Sequence, residues 1–140
     1  MFNFSLNSSF KNLEQSLSTN LTLLEDKQKQ VAHILAKQMK QEIKEILDIP
    51  VSKNGAKIVR SQPLQAPRKE SGNLQNSVDY ILEQNGLNIS IKIFCSDSAP
   101  YALYLEYGTQ KTAARPFMIP TLNKYALILK EEIKEIGKTL

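Results

Sequence analysis

The sequence predicts an α+β fold, in which a small antiparallel sheet with a central β-hairpin packs against a long N-terminal helix and a C-terminal helix. Two apolar stripes of helical spacing predict the helices, and alternating apolar residues on both sides of Asn85-Gly86 predict the hairpin. Helices and strands that segregate along a chain are typical of α+β domains. A length of 140 residues suits one hydrophobic core, so residues 1–140 are predicted to form a single domain.

The chain begins with a predicted short strand, because Phe2, Phe4 and Leu6 alternate with polar residues. Leu13 and Leu17 indicate a short helix after this strand. These first residues lack the basic region and the small-residue cleavage site of a signal peptide, and no apolar run approaches the roughly 20 residues needed to cross a bilayer. We therefore expect a protein made in the cytosol that does not enter a membrane.

A long helix is predicted over residues 20–47, where apolar side chains recur at steps of three, four or seven. The stripe consists of Leu24, Val31, Leu35, Met39, Ile43 and Ile46. Thr19 or Asn20 can cap the start of this helix, and Pro50 prevents its continuation. We interpret it as a helix that packs on the core.

The segment from 49 to 72 is a long connection without regular periodicity. Turn residues such as Asn54-Gly55 and Ser71-Gly72 interrupt it, and a brief strand is predicted at Lys57–Val59. Residues 49–69 contain no acid and five bases: Lys53, Lys57, Arg60, Arg68 and Lys69. Because the whole chain carries +4, this +5 leaves the remainder at −1, so the positive charge is confined to one segment.

Two interpretations of this basic loop stay open. Its cations can contact the phosphates of nucleic acid without sequence specificity, or an acidic partner, and binding to DNA would then fall with salt. The simpler interpretation is a soluble loop that happens to lack acids. No aromatic residue is interleaved with the cations, so the loop has no platform on which bases could stack.

A β-hairpin is predicted from residues 77–84 and 87–95, because Asn85-Gly86 is a favoured pair for a two-residue type I′ turn. This turn would set the register of the two strands. The predicted cross-strand pairs are Leu82 with Ile89, Tyr80 with Ile91, and Val78 with Ile93. All of them lie on one face, which we expect to be the core face.

Residues 100–120 are predicted to join two helices through a rigid elbow. Pro100 can open a short helix on which Tyr101, Tyr104 and Leu105 share a face, and Gly108 can close that helix in the left-handed conformation. The last helix is predicted to run from Pro116 or Pro120 to Ile136, with Gly137 ending it. Its apolar stripe consists of Leu122, Tyr125, Ala126, Leu129, Ile133 and Ile136.

Glu106 is the one candidate for a catalytic acid, because apolar and aromatic neighbours in the sequence can raise the pKa of its carboxyl group. The structural alternative is a buried glutamate held by Arg115 or by backbone N–H groups of residues 108–114. We favour this alternative, because an acid without a partner base or metal does little chemistry.

Other signs of an enzyme are missing from the sequence. It contains neither a glycine-rich phosphate loop nor a G-x-S-x-G motif. Cys95 and His33 are the only cysteine and the only histidine, which is too few for a zinc site of the His/Cys type. We therefore expect no catalytic residue, no metal and no cofactor.

Three segments resemble a family of tail components of long-tailed bacteriophages, whose members act as minor tail, neck or tail-completion proteins. Residues 66–78 resemble its "P…(T/S)G-x-L-x-x-S-(I/V)" segment. Residues 101–109 are similar to its "YA-x-x-(V/L)-E-(F/Y)-G-T" motif, and residues 114–120 to its "A-R-P-F-(M/L)-x-P" signature. All three occur in the family's order, and the resemblance covers about residues 21–136.

The resemblance implies a small α+β virion protein at the head–tail junction or in the upper tail, made in the cytoplasm of the bacterial host. It implies self-assembly, with a ring as the expected form, docking to phage connector and tail proteins, and neither catalysis nor a cofactor. The residues that match the family motifs are Gly72, Leu74, Ser77, Tyr101, Ala102, Leu105, Glu106, Gly108, Thr109, Arg115, Pro116, Phe117 and Pro120.

Most of these residues are expected to serve the fold. Leu74, Tyr101, Leu105 and Phe117 would seal the junction between helices and sheet, and Pro116 and Pro120 would fix the approach of the last helix. The chain departs from many relatives at residues 49–66, which intervene between the long helix and the first motif. The role of the basic loop therefore does not follow from the resemblance.

Overall fold

The α+β fold predicted from the sequence is confirmed by a computed structural model, which describes residues 3–8, 21–55 and 57–138. The elements follow the order strand, helix, two short strands, short helix, two long strands, short helix, helix. They are β1 (Asn3–Ser8), α1 (Leu21–Ile46), β2 (Ser52–Asn54), β3 (Lys57–Val59), α2 (Asn73–Ser77), β4 (Val78–Asn85), β5 (Asn88–Cys95), α3 (Ala102–Tyr107) and α4 (Ile119–Lys138).

The long helix α1 lies where its apolar stripe predicts. Leu24, Leu35, Met39 and Ile43 are buried, while Val31 and Ile46 are partly buried and pack against the same core. The helix ends four residues before Pro50. The proposed caps Thr19 and Asn20, the short helix at Leu13 and Leu17, and the side chain of Phe2 lie outside the described residues.

The main sheet has three antiparallel strands in the order β1-β5-β4. Its core face carries Ile89, Ile91 and Ile93, which are buried together with the apolar stripes of α1 and α4. The other face of β4 carries Asp79, Ile81 and Glu83, all of them exposed. The domain therefore has two layers, with helices on one face of the sheet.

The register predicted for the β4–β5 hairpin is wrong by two residues. Leu82 pairs with Ile91, Tyr80 with Ile93, and Val78 with Cys95. The two-residue turn consists of Gly86, at φ 62°, and Leu87. Glycine at the first central position suits a type II′ turn rather than the predicted type I′ turn.

Tertiary packing explains why this turn is preferred. Leu87 is buried in the core, and the side-chain N–H of Gln28 on α1 donates a 3.0 Å hydrogen bond to the Leu87 carbonyl. Because the shift is two residues and side chains alternate with a period of two, each residue keeps its face. The predicted core face is therefore confirmed although its cross-strand pairs are not.

The connection from 49 to 72 contains more structure than its sequence indicates. The predicted strand at Lys57–Val59 is present as β3, and it pairs with β2, which was not predicted. All six residues of this small hairpin are exposed. The short helix α2 was also not predicted; it follows Gly72, whose φ is 82°.

The two helices of the elbow differ from prediction at their ends. Helix α3 begins at Ala102 instead of Pro100, and α4 continues through Gly137 to Lys138. A glycine costs about 1 kcal/mol in a helix interior, which one terminal turn tolerates. Most of the predicted stripe of α4 is buried, but Ala126 is exposed and does not belong to it.

Candidate docking site

The elbow between α3 and α4 is held by the buried carboxylate of Glu106, which is 3% exposed. Its Oε2 accepts hydrogen bonds from the backbone N–H groups of Phe117 (2.9 Å) and Met118 (3.1 Å). Its Oε1 accepts one from the N–H of Ile119 at 2.8 Å, and the next residue, Pro120, has no N–H. Glu106 therefore caps the start of α4, where N–H groups lack helical partners and the helix dipole favours negative charge.

The predicted partners of Glu106 are wrong. The carboxylate binds the amides of residues 117–119, and neither Arg115 nor the 108–114 loop donates to it. The backbone N–H of Arg115 instead donates a 2.7 Å hydrogen bond to the Leu105 carbonyl. The structural interpretation of Glu106 is nevertheless the one that this geometry supports, because both carboxylate oxygens serve the elbow.

Gly108 is required at the end of α3. Its φ of 76° is positive as predicted, but its ψ of 178° places it outside the left-handed helical region, in a region that is essentially restricted to glycine. A Cβ atom there would lie 2.7 Å from the Ala114 nitrogen and 2.9 Å from the Thr112 oxygen. The following loop therefore packs directly against Gly108.

The loop itself is shaped by Thr109. Its backbone N–H donates to the Thr112 carbonyl at 2.8 Å, and its Oγ1 accepts from the N–H groups of Lys111 (3.3 Å) and Thr112 (3.1 Å). Together with Gly108, this turn returns the chain to α3, where Arg115 meets Leu105. Residues 101–109 and 114–120 thus meet through direct backbone contacts.

The first motif is joined to the second through Asn73, which sequence reasoning missed. The Asn73 side-chain amide donates to the Ser98 carbonyl at 2.6 Å and to the Tyr101 hydroxyl at 3.2 Å. The Ser77 hydroxyl closes α2 by donating to the Leu74 carbonyl at 2.6 Å. The sequence around Asn73 does not indicate this contact, because its partners are 25 and 28 positions away.

The inward side of α3 is sealed as the sequence predicts, apart from one residue. Ala102 is 1% exposed, Phe117 is buried, and Leu74 and Leu105 are partly buried against the core. Tyr101 is the exception, because it is 40% exposed. The prediction that Tyr101, Tyr104 and Leu105 share one face is wrong for Tyr104, which is 59% exposed, whereas Tyr101 and Leu105 line the same cavity.

The outward side of α3 carries an exposed apolar surface. Its members, which we call the aromatic face, are Tyr101, Leu103, Tyr104 and Tyr107. Leu103 is 41% exposed and Tyr104 is 59% exposed. Large exposed apolar side chains that cluster on one element are typical of surfaces that bind another protein, and tyrosine is enriched in such interfaces.

A cavity of about 240 Å³ lies beside the aromatic face. Its lining includes Arg60, Arg68 and Arg115, which are all the arginines of the chain, together with Lys69 and Tyr101. We call it the arginine cavity. The structure thus brings three of the five predicted basic-loop residues together with a motif arginine.

The five cations of the basic loop do not form one continuous surface. Lys53 and Lys57 lie on the exposed β2–β3 hairpin. Arg60 pairs with Glu70 at 2.7 Å and Lys69 with Asp48 at 2.9 Å, so acids just outside the segment neutralise two of its charges. The hydrogen bond from Lys69 is also the main reason that the pKa of Asp48 is lowered.

Cys95 and His33 are the remaining side chains with possible chemistry. Cys95 is buried, and desolvation raises the pKa of its thiol to about 11, so the reactive thiolate is scarce at neutral pH. Exposed His33 has its Nδ1 3.3 Å from the Tyr80 hydroxyl. Across residues 3–8, 21–55 and 57–138, no group of metal-ligating side chains is assembled. No helix in that part of the chain is long and apolar enough to cross a bilayer.

Comparison with protein-family models, curated proteins and solved structures finds no match to this chain.

Proposed function

We propose that this protein is a structural component of a phage or prophage virion, placed at the head–tail junction or in the upper tail. In this role it completes the tail or joins it to the head by assembling with copies of itself and docking to connector or tail proteins. It is made in the cytoplasm of the bacterial host and becomes part of the virion. The proposal starts from the resemblance of three sequence segments to tail-component proteins.

The observation that carries the proposal is that these three segments meet in one structural unit. Asn73 of the first segment binds Tyr101 of the second, and Glu106 of the second binds Phe117 of the third. Segments that are separated along the chain thus cooperate to fix the position of α3. The three segments that resemble the family build one rigid elbow. We infer that this elbow serves the structural role that the resemblance implies.

The elbow has the properties of a preorganised docking element. Helix α3 is too short to be stable alone, so its position depends on the Glu106 clamp and on the Gly108 turn. Its aromatic face is thereby held outward without the cost of ordering it on binding. We infer that a second copy of the chain docks here, and that repetition of this contact produces the ring expected from the resemblance.

The same geometry supports a role without catalysis. Both oxygens of Glu106 accept backbone hydrogen bonds, so this carboxylate is engaged in the fold. The Cys95 thiol is buried and its pKa is raised. No cofactor is part of the proposal.

The proposal is tested by assembly on virion parts. Purified protein is mixed with purified heads that lack tails, and separately with purified tails that lack heads, and bound protein is measured after sedimentation. We expect saturable binding to one of the two, or ring-like oligomers of the free protein. A protein that stays monomeric and binds neither particle would contradict the proposal.

A second candidate is a basic nucleic-acid-binding protein, and the exposure of Lys53 and Lys57 on the β2–β3 hairpin favours it. This candidate predicts an affinity for duplex DNA that falls steeply with salt. Replacing Lys53 and Lys57 with alanine should weaken binding and reduce its salt dependence. An unchanged affinity in this variant would remove the candidate.

A further inference from the structure

The arginine cavity combines an apolar floor with a cationic wall. Leu47 and Pro67 are buried beneath it, and Leu74 and Leu105 are partly buried. At about 240 Å³ the cavity is smaller than the roughly 300–1,000 Å³ typical of sites for drug-sized ligands. It therefore suits a single side chain or a small ion.

Two guanidinium groups in this cavity lack an acidic partner. Arg60 and Lys69 are paired with Glu70 and Asp48, whereas no carboxylate among the described residues lies within ion-pair distance of Arg68 or Arg115. The Nε of Arg115 is buried and has no hydrogen-bond partner. A buried donor without a partner is costly, and the fold supplies no acceptor for this atom of Arg115, a residue that lines the cavity.

We propose that the arginine cavity binds a carboxylate carried on a short apolar stem, such as the side chain of a glutamate in a partner protein. The planar guanidinium of Arg115 donates to the carboxylate, and Arg68 supplies the second cation. The stem lies over the leucine side chains of the floor. Nothing in this assignment depends on where in a virion, or in which organism, the protein acts.

The surroundings favour a protein carboxylate over a nucleic acid phosphate. Glu70 and Asp48 pair with Arg60 and Lys69, so only Arg68 and Arg115 are left without an acidic partner, and two cations match one carboxylate better than the repeated charges of a polyanion. Tyr101 belongs both to the cavity lining and to the aromatic face. A protein that docks on the aromatic face can therefore place one acidic side chain in the cavity.

The test is a titration of the complete chain followed by NMR, at constant ionic strength. The probe is glutamate blocked at both ends as acetyl and amide, and the matched control is blocked glutamine, which has the same shape without the charge. We expect a saturable shift of the Arg115 Nε–H resonance and of the amides of Gly72 and Asn73 with blocked glutamate. Blocked glutamine should produce no saturable shift.

Variants locate the binding site. Arg68→Gln and Arg115→Lys should each weaken the affinity for blocked glutamate by about tenfold or more, since each removes charge-assisted hydrogen bonds. Lys53→Gln removes a cation of the same segment that does not line the cavity, and it should leave the affinity unchanged. If Arg115→Lys does not fold, the titrations of Arg68→Gln and of the wild-type chain still test the proposal.

Three results would overturn the proposal. One is the absence of a saturable shift at Arg115 Nε–H, and another is an equal response to blocked glutamate and blocked glutamine. The third is a short DNA duplex or inorganic phosphate that shifts the same resonances at lower concentration, which would assign the cavity to phosphate. The titration uses the free chain, so its failure is distinct from a failure of assembly on heads or tails.

Discussion

At the scale of single residues, the elbow depends on Glu106 and Gly108. The sequence predicts that Glu106 is structural, because a lone acid among aromatic residues lacks partners for catalysis. It does not predict which donors bind the carboxylate, because the amides of residues 117–119 are 11–13 positions away and meet Glu106 only after the chain has turned at Gly108. A contact of this kind is decided by the path of the backbone and has no signature in local spacing.

Removing the Glu106 carboxylate should destabilise the fold. Glu106→Ala leaves two buried N–H groups and one partly buried N–H group without their acceptor, so we expect the free energy of unfolding to fall by about 2–4 kcal/mol. Glu106→Gln keeps one acceptor oxygen and should cost less. Urea unfolding measures both, and Glu132→Ala, at an exposed position of α4, serves as the control with an effect within about 0.5 kcal/mol. An unchanged midpoint for Glu106→Ala would refute the clamp.

Alanine variants of two glycines with positive φ distinguish the cost of backbone strain from the cost of a steric collision. Gly55→Ala meets no atom within 4 Å, so its cost should be the conformational strain alone, about 1–2 kcal/mol. Gly108→Ala adds a collision with backbone atoms at 2.7 and 2.9 Å and should cost clearly more. Thermal and urea unfolding of both variants measure the difference. Equal destabilisation would show that the 108–114 loop does not pack against Gly108 as described.

At the scale of secondary-structure elements, the periodicity of apolar residues predicts the long amphipathic elements. The stripe from Leu24 to Ile46 predicts α1, and the alternation from Val78 to Ile93 predicts which face of the hairpin is buried. The hairpin register predicted from Asn85-Gly86 is wrong, because the turn shifts by one residue to bury Leu87 and to bind Gln28. Local turn statistics favour Asn85-Gly86, and tertiary packing overrides them.

The elements that the sequence does not predict are short ones. Strand β2 has three residues and α2 has five, so both are too short for an apolar pattern to repeat recognisably. The arginine cavity is also not predictable, because it joins residues of the 49–72 connection to Tyr101 and Arg115. Its formation depends on pairings such as Lys69 N–H with the Ile49 carbonyl at 2.7 Å, which close the connection.

Helices α1 and α4 are joined by an ion pair whose contribution to stability should depend on pH. Lys124 donates to Glu42 at 2.8 Å, and this hydrogen bond is the main cause that lowers the pKa of Glu42; burial opposes it, and a hydrogen bond with Tyr125 adds to it. Burial, as the main cause, raises the pKa of Tyr125 to about 12, so its hydroxyl remains a donor at neutral pH.

The sign of the pH effect follows from the depressed pKa of Glu42. As the pH falls, Glu42 is protonated in the unfolded chain before it is protonated in the folded chain. The stabilisation by Glu42 is therefore complete above the ordinary glutamate pKa of 4.5, and it is lost as the pH falls through the lower pKa of the folded state. Lys124→Met should cost less than about 1 kcal/mol at pH 7, because Lys124 is largely exposed, and should weaken the acid-induced loss of stability. Lys130→Met, at an exposed position on α4, is the control, and an identical pH profile for both variants would contradict this account.

At the scale of the whole molecule, the fold is a two-layer domain that holds α3 and its aromatic face at one end of a rigid elbow. The core accounts for the motif residues that are buried, such as Ala102 and Phe117. It does not account for Leu103 and Tyr104, which are exposed on a short helix that several long-range hydrogen bonds fix in place. We propose that this face binds a second copy of the chain.

Sedimentation velocity over a range of protein concentrations tests this claim most directly. The wild-type chain should form a species whose mass is a multiple of 15.8 kDa, and the double variant Leu103→Ser, Tyr104→Ser should remain monomeric with an unfolding free energy within about 1 kcal/mol of the wild type. Leu127→Ser, which removes an apolar residue 69% exposed on α4, should assemble as the wild type does. A wild-type chain that is monomeric at every concentration, or a double variant that assembles normally, would contradict the claim.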